Sequence, residues 1–304
     1  MTTTKTKRRR KRKSKTTVTG RPTIAKRNSV PDARRAKEHI LHGILSELRS
    51  VIVAFSGGAD SAYLAHAAHQ VLGPRALAVT ADSASYPDTH RQLALRVATE
   101  FAIPHEIIRT GELQRPEYRA NPANRCYFCK DELYAHLASL AHARGFAAVV
   151  DGSNADDRGD YRPGRQAARE HGVRSPLDEA ELSKDEIRLL SRDAGLPTWD
   201  VPASACLSSR IPYGSEVTEE KLAMIERAEE VLRTLGFRVF RVRHHDALAR
   251  LEIAKDEMPR ALEADVSDRL TRELRALGYQ HVTIDLQGYR LGSLNEALRL
   301  RPIQ

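Results

Sequence analysis

The sequence predicts an α/β fold, a parallel sheet with helices on both faces, followed by a smaller C-terminal α+β domain. Two observations carry this. Between residues 51 and 154 four short apolar runs alternate with stretches of helical periodicity, the order a parallel sheet requires because its crossovers carry helices. Right-handed crossovers between such strands then place the loops after their C-termini together in one crevice. Beyond residue 205 the order changes to two alternating runs, a helix and a last strand, which reads as a separate small sheet.

The elements follow in order. Residues 33–50 place Ile40, Leu41, Ile44, Leu45 and Leu48 on one helical face. Residues 51–55 are the first strand, and a helix follows from Asp60 with Leu64, Ala67, Ala68 and Val71 at three- and four-residue steps. Residues 75–82 form the next strand, a helix begins near Asp88, and 104–110 is a third strand. Residues 130–146 are a helix and 147–154 a fourth strand ending in Asp-Gly. A long helix over 219–235 stops at Gly236. The runs "FRVFRVRHH" and "ALARLEIA", a helix over 256–277 and the strand "HVTIDLQGYR" complete the chain. The expected division is a basic tail over 1–30, a nucleotide domain over 31–205 and a substrate and oligomerisation domain over 206–304.

The turn at Ser56-Gly57-Gly58 is the first functional clue. Glycine permits a positive φ and close approach of a ligand to the backbone, and the free N–H groups of a helix start suit a phosphate. A plain strand-to-helix turn remains the alternative. No Gly-Lys-Ser/Thr follows, so the Walker-type phosphate loop is absent, and no third glycine completes a dinucleotide fingerprint.

The stretch "SGGADS" after a buried strand resembles the pyrophosphate-binding loop of the PP-loop ATP pyrophosphatases, whose fold is adenine nucleotide alpha hydrolase-like. The resemblance implies cleavage of ATP to AMP and pyrophosphate. It also implies that Ser56, Gly57, Gly58, Asp60 and Ser61 contact ATP phosphates or their Mg2+ ion, with Asp82 and Asp151-Gly152 opening onto the same crevice. Within that family, "NPANRCYFCKDELY" (121–134), "DGSNADDRGDYRPGRQAARE" (151–170) and "PASACLSSRIPYG" (202–214) resemble the LarE-type sulfur transferases, and the likeness runs from about residue 31 to the C-terminus. It implies adenylation of the carboxylates of pyridinium-3,5-biscarboxylic acid mononucleotide, attack by a protein-bound sulfur and release of AMP. The product is a bisthiocarboxylate used for the nickel-pincer cofactor of lactate racemase. The alternative is a PP-loop tRNA thiolase; a non-catalytic nucleotide-binding module is a third reading.

Three cysteines sharpen the question. Cys126 and Cys129 form a C-x-x-C, and Cys206 is distant in sequence. A thioredoxin-like pair leaves Cys206 without a role. Structural zinc needs four ligands and so would need a histidine. Three inert thiols are the bland reading. The resemblance offers two more: Cys206 gives up its own sulfur, or Cys126, Cys129 and Cys206 hold a 4Fe-4S cluster with one iron open to carry an extra sulfide. The cluster is the expectation, with Cys206, Cys126, Cys129 and Asp60 as the catalytic residues.

The implied substrate carries a phosphate and two carboxylates, which arginine matches by its bidentate fork. Arg241 and Arg243 alternate along one run and so share a strand face. The resemblance makes them phosphate-binding and adds Ser209, Arg210 and Glu229 to the substrate site. An exposed polar face is the competing reading for the two arginines, and Glu229 looks like one of many acids on a polar helix face. Trp199, the one tryptophan, is more often packing than a stacking platform.

Composition bounds the rest. With 304 residues, 41% apolar and 29% charged, the chain is long enough for two domains and ordinary for a globular protein. No apolar run nears the ~20 residues of a membrane span, and no secretory signal is visible. A small, odd cysteine count fits a reducing cytoplasm. Residues 1–30 hold twelve Lys and Arg and no acid, so the net charge of +9 becomes −3 without them. Nucleic acid is therefore an expected partner only through that tail, whose like-charge block reads as disordered. The resemblance implies a homo-oligomer, a hexamer.

Overall fold

The structure, a computed structural model, describes residues 33–159, 163–202, 205–290 and 292–295. The basic tail and parts of the 151–170 and C-terminal stretches lie outside the described residues. The first half of the chain runs α1 (Ala33–Leu48), β1 (Val51–Ala54), α2 (Ala59–Leu72), β2 (Ala76–Asp82), α3 (Asp88–Glu100), β3 (His105–Arg109), α4 (Pro116–Arg119), α5 (Arg125–Arg144) and β4 (Ala148–Val150). All four strands are parallel, in the order β3-β2-β1-β4. Strand order reverses at β1, so the crevice for a ligand lies beyond the carboxyl ends of β1 and β4.

The pleat explains why both sides are covered. Val51, Val53 and Phe55 pack with Leu41 and Leu45 of α1 and with Leu64 and Ala68 of α2. Ile52 and Ala54 point the other way, onto Tyr134 and Leu137 of α5. A strand buried on both faces reads as a continuous apolar run, which is what residues 51–55 are. After β4 come α6 (Pro163–Glu170), α7 (Pro176–Glu179) and α8 (Lys184–Asp193). A reciprocal cap starts α8: the Glu186 N–H donates to Ser183 Oγ (3.3 Å), and the Ser183 N–H donates to Glu186 Oε2 (2.9 Å).

The second sheet is built from β5 (Phe240–His245), β6 (Leu248–Ile253) and β7 (His281–Ile284), with β5 antiparallel and β7 parallel to β6. It packs on α9 (Glu219–Thr234) and α11 (Ala264–Ala276) through Ala228, Leu232, Val242, Leu251, Leu270 and Leu274. Several boundaries differ from expectation: the last strand stops at Ile284 and the fourth at Val150, and two helices differ as well. The helix expected over 256–277 is two pieces, α10 (Met258–Ala261) and α11, because Glu263 is extended (φ −61°, ψ 138°) and starts α11 afresh. Helix α5 begins at Arg125, five residues early, so Cys126 and Cys129 lie in its first two turns. Among the described residues no helix is long and apolar enough to cross a membrane.

Candidate active site

The phosphate loop starts where β1 stops. The Phe55 N–H donates to Val79 O (2.9 Å) and Thr80 Oγ1 donates to Phe55 O (2.8 Å), so the chain leaves the sheet at Ser56. Gly57 has φ +67°, and a Cβ there would lie 2.6 Å from His90 O, so both conformation and space demand glycine. Ser61 Oγ accepts from the Ser56 N–H (3.2 Å), lies 3.1 Å from Ser56 Oγ and donates to Gly58 O (3.2 Å). The loop is thereby closed over the start of α2, whose dipole and first-turn N–H groups favour an anion.

The far wall comes from β4. A Cβ on Gly152 would sit 3.0 Å from Ser61 N, so the two loops touch, and Asn154 Nδ2 donates to Asp60 Oδ2 (3.2 Å). Ser56, Gly57, Gly58, Asp60, Ser61 and the Asp151-Gly152 turn are therefore together. Asp151 accepts from Tyr134 OH (2.9 Å), Ser175 Oγ (2.7 Å), Ser153 Oγ (3.0 Å) and the Ser153 N–H (3.2 Å). That set of bonds makes it the organiser of the β4 turn. Asp82, at the end of β2, pairs with Arg91 (2.7 Å) of α3.

Two distant segments converge to bring the cysteines into one region. The Val217 N–H donates to Arg119 O (2.9 Å), and the Gly214 N–H to Asn121 O (3.0 Å). Buried Asn121 donates through Nδ2 to Pro212 O (2.8 Å) and Ser215 O (2.9 Å). Tyr118 OH lies 2.5 Å from Ser208 Oγ, and Arg125 Nη1 donates to Ser208 O (2.9 Å). On its other side the Cys206 segment docks on the connector between β2 and α3: the Leu207 N–H donates to Ser85 O (2.9 Å). One residue further along, Tyr86 OH donates to Ser56 O (3.1 Å). The sulfur-bearing segment and the phosphate loop thus hang from adjacent residues of one connector.

All three thiols are free; Cys126 is exposed, Cys129 and Cys206 are half-buried. Desolvation by surrounding protein atoms and the neighbouring Cys206 raise the pKa of Cys126, against the Arg125 guanidinium, which lowers it. Burial, then Glu112 and Cys206, push Cys129 up strongly. Among the described residues no three His, Cys, Asp or Glu donors are gathered to hold a metal ion.

The expected substrate residues form a buried lattice beneath Cys206. Arg210 makes a two-pronged pair with Glu229 (2.8 and 2.9 Å) and donates to Ala205 O (2.6 Å), Cys206 O (3.0 Å) and Ser209 Oγ (2.9 Å). Arg243 donates to Ser209 O (2.6 Å), Glu252 (2.8 Å) and Ser293 Oγ (2.7 Å). Arg241 lies over the Tyr289 ring (5.1 Å) and donates to Phe240 O (2.7 Å); burial and then the Arg210 charge lower its pKa. Trp199 is partly exposed with the Arg192 guanidinium over its ring.

No protein-family model matches the chain. An uncharacterized protein of Synechocystis sp. is 46% identical over 258 residues, 85% of this chain and 96% of that protein. A pyridinium-3,5-bisthiocarboxylic acid mononucleotide synthase of Lactiplantibacillus plantarum is 38% identical over 266 residues, 86% of this chain and 95% of that one. The chain belongs to the LarE family. A probable tRNA sulfurtransferase of Methanobrevibacter smithii is 24% identical over 195 residues and is matched over only 50% of its length.

In this LarE-family chain, sequence reasoning did not single out Tyr86, His90, Glu112, Tyr118, Asn121 and Arg125. Glu112 is buried and accepts from Ser83 Oγ (2.5 Å), Ser85 Oγ (2.5 Å) and Thr110 Oγ1 (3.0 Å). His90 stands in the first turn of α3; burial, then Arg210 and Arg241, push its pKa down to about 4. Asn121 and Arg125 were inside a quoted motif, and an Asn-Pro turn before a cysteine pair was the available signal. Glu112 and His90 left no local signal.

Proposed function

We propose that this protein is an ATP-dependent sulfur transferase of the three-cysteine subtype. Its substrate is pyridinium-3,5-biscarboxylic acid mononucleotide, its product the bisthiocarboxylate, and its role the synthesis of a nickel-pincer cofactor. The observation that carries the reading is the shared connector: Tyr86 holds the phosphate loop and Ser85 holds the Cys206 segment. Activation of a carboxylate by ATP and delivery of sulfur to it need those two segments side by side. The substrate class is supported by the name of the L. plantarum relative.

ATP phosphates would lie on the Gly57–Ser61 loop, and Asp60 is the residue that would hold Mg2+ beside them, since Mg2+ takes one or two carboxylates plus phosphate oxygens. A substrate carboxylate oxygen attacks the α-phosphorus and pyrophosphate leaves, giving an acyl adenylate. A sulfur nucleophile then forms the C–S bond as the C–O bond to AMP breaks. The thiolate or sulfide, not the thiol, is the competent form. A tetrahedral zinc site needs its sulfurs about 2.3 Å from one centre, whereas the ligands of an iron–sulfur cluster bind separate irons and stand further apart. Three cysteines on two segments that Tyr118, Asn121 and Arg125 tie together suit the second case. A cluster would be held by Cys126, Cys129 and Cys206 and would supply sulfide as the nucleophile. Glu229, Glu252 and backbone carbonyls orient Arg210 and Arg243 beneath that site.

The test is substrate-dependent pyrophosphate release with Mg2+ and ATP, read with product mass, in the wild type and in Asp60→Ala. The expected result is release with the pyridinium dicarboxylate, a gain of sulfur in the product, and a loss of about 100-fold or more in the folded variant. Release driven by unmodified tRNA instead would replace this reading with the thiolase.

A further inference from the structure

Three buried arginines hold the carbonyls of the Cys206 segment. Arg210 holds Ala205 O and Cys206 O, Arg243 holds Ser209 O, and Arg125 holds Ser208 O. Two of them have buried carboxylate partners, Glu229 for Arg210 and Glu252 for Arg243. Arg125 does not. It is 2% exposed, its Nη1 is used by Asn121 Oδ1 and Ser208 O, and its Nε is buried with no hydrogen-bond partner. Among the described residues no Asp or Glu pairs with it; the Tyr213 ring lies 6.0 Å beneath it. A buried cation without a counter-ion costs several kcal/mol, so the fold keeps Arg125 for an anion that protein carboxylates do not provide. Its place indicates which anion: Arg125 directly precedes Cys126 at the start of α5, and its Nη1 donates to Ser208 O, two residues after Cys206.

We propose that Arg125 is the anchor and counter-cation of an anionic thiolate–sulfide centre held between Cys126 and Cys206. Its fork ties the start of α5 to the Cys206 segment, and its charge balances the sulfur anion. The inference rests on the reading that the three thiols act as one unit. Arg125 is a positioning residue: it acts through the thiols and the Ser208 carbonyl.

Arg125→Lys keeps the charge and loses the fork; Arg125→Gln loses the charge and keeps a donor. Two measurements separate the roles. In reduced, metal-free full-length protein, a short bifunctional thiol reagent joins Cys126 or Cys129 to Cys206, and peptide mass gives the yield. Both variants are expected to lose at least about threefold in yield as the fork is lost. After anaerobic incubation with sulfide alone, or with iron and sulfide, sulfide and iron per chain and the midpoint potential are read. Arg125→Gln is expected to retain severalfold less sulfide and to show a more negative midpoint, because a nearby cation favours the reduced, more negative centre. Arg125→Lys is expected to recover the midpoint. Wild-type cross-linking, loading and potential in Arg125→Gln overturn the proposal. If the wild type binds neither iron nor sulfide, the cluster reading above fails and the charge role with it; unchanged cross-linking in both variants then overturns the anchor as well, while its loss upholds the anchor.

Discussion

The Arg210–Glu229 pair is the most exacting place to test the packing beneath Cys206. Both side chains are buried, Arg210 to 1% exposure, and their two contacts of 2.8 and 2.9 Å are parallel charge-assisted bonds. Burial is the largest single influence on Glu229 and opposes its ionisation, yet the Arg210 charge, the bonds from Arg210, the Arg241 charge and the Val242 N–H together lower the carboxylate pKa. Glu229→Ala leaves the guanidinium buried without its counter-ion, which costs about 3–5 kcal/mol. It also strips the Val242 N–H of its acceptor at 3.2 Å. With a urea slope near 3 kcal/mol per molar, the midpoint falls by about 1–1.7 M. Replacing the whole pair, Arg210→Met with Glu229→Leu, removes both charges and recovers most of that loss. Sulfur transfer does not return with stability, because the carbonyls of Ala205 and Cys206 have lost their donor. Urea unfolding of the two single variants and the double variant, with thiocarboxylate yield alongside, decides it. A Glu229→Ala midpoint within about 0.2 M of wild type, or a double variant as unstable as the worse single, refutes the reasoning.

Two further outcomes follow from the loop and its neighbour. Gly57→Ala forces an L residue into φ +67° with its Cβ 2.6 Å from His90 O; a loss of about 1–3 kcal/mol and of ATP binding is expected, read by thermal unfolding and calorimetry. His90 has its pKa depressed from 6.5 to about 4 by burial first and then by Arg210 and Arg241, so the unfolded chain binds more protons between those values. Its contribution is therefore complete above pH 6.5 and is lost as pH falls toward 4. The shift corresponds to about 3 kcal/mol, reduced to about 1–2 for a half-buried ring near solvent-screened charges. His90→Gln should flatten the urea midpoint between pH 7 and 4.5 relative to wild type, and parallel curves would count against the assignment.

What the sequence made legible was local. The apolar run over 51–55 and the glycines after it predict a strand buried on both faces and a phosphate loop, because strand pleat and positive φ are decided by neighbours in the chain. The start of α5 was not legible: Asn124 makes no side-chain cap, and the turn is set by Asn121, whose clamp on Pro212 O and Ser215 O reaches across about ninety residues. Glu229 is indistinguishable in sequence from Glu226 and Glu230 beside it. Only the packing of α9 against β5 and the 3-10 turn Leu207–Arg210 makes it the buried one. Alternation put Arg241 and Arg243 on one face, but not the facing Glu252 and Ser293 that take up Arg243.

Among the described residues around Cys206 the regular structure is the 3-10 turn Leu207–Arg210. An irregular, partly buried segment must find partners for its carbonyls elsewhere. Here guanidinium groups serve Ala205, Cys206, Ser208 and Ser209. Water or neutral amides satisfy a carbonyl at less electrostatic cost, since each buried cation carries a desolvation penalty. Fixed cations persist when the field they make is itself useful: they stay in place while charge develops and need no reorganisation during reaction. A site proposed to gather an anionic sulfur, an acyl adenylate and a dicarboxylate mononucleotide would have that need on three sides. The two arginines with carboxylate partners hold their position in the resting protein. Arg125 has no carboxylate partner among the described residues; in the proposal above its charge is balanced by what Cys126 and Cys206 hold, which would make occupation of the sulfur site and order in the Cys206 segment rise and fall together.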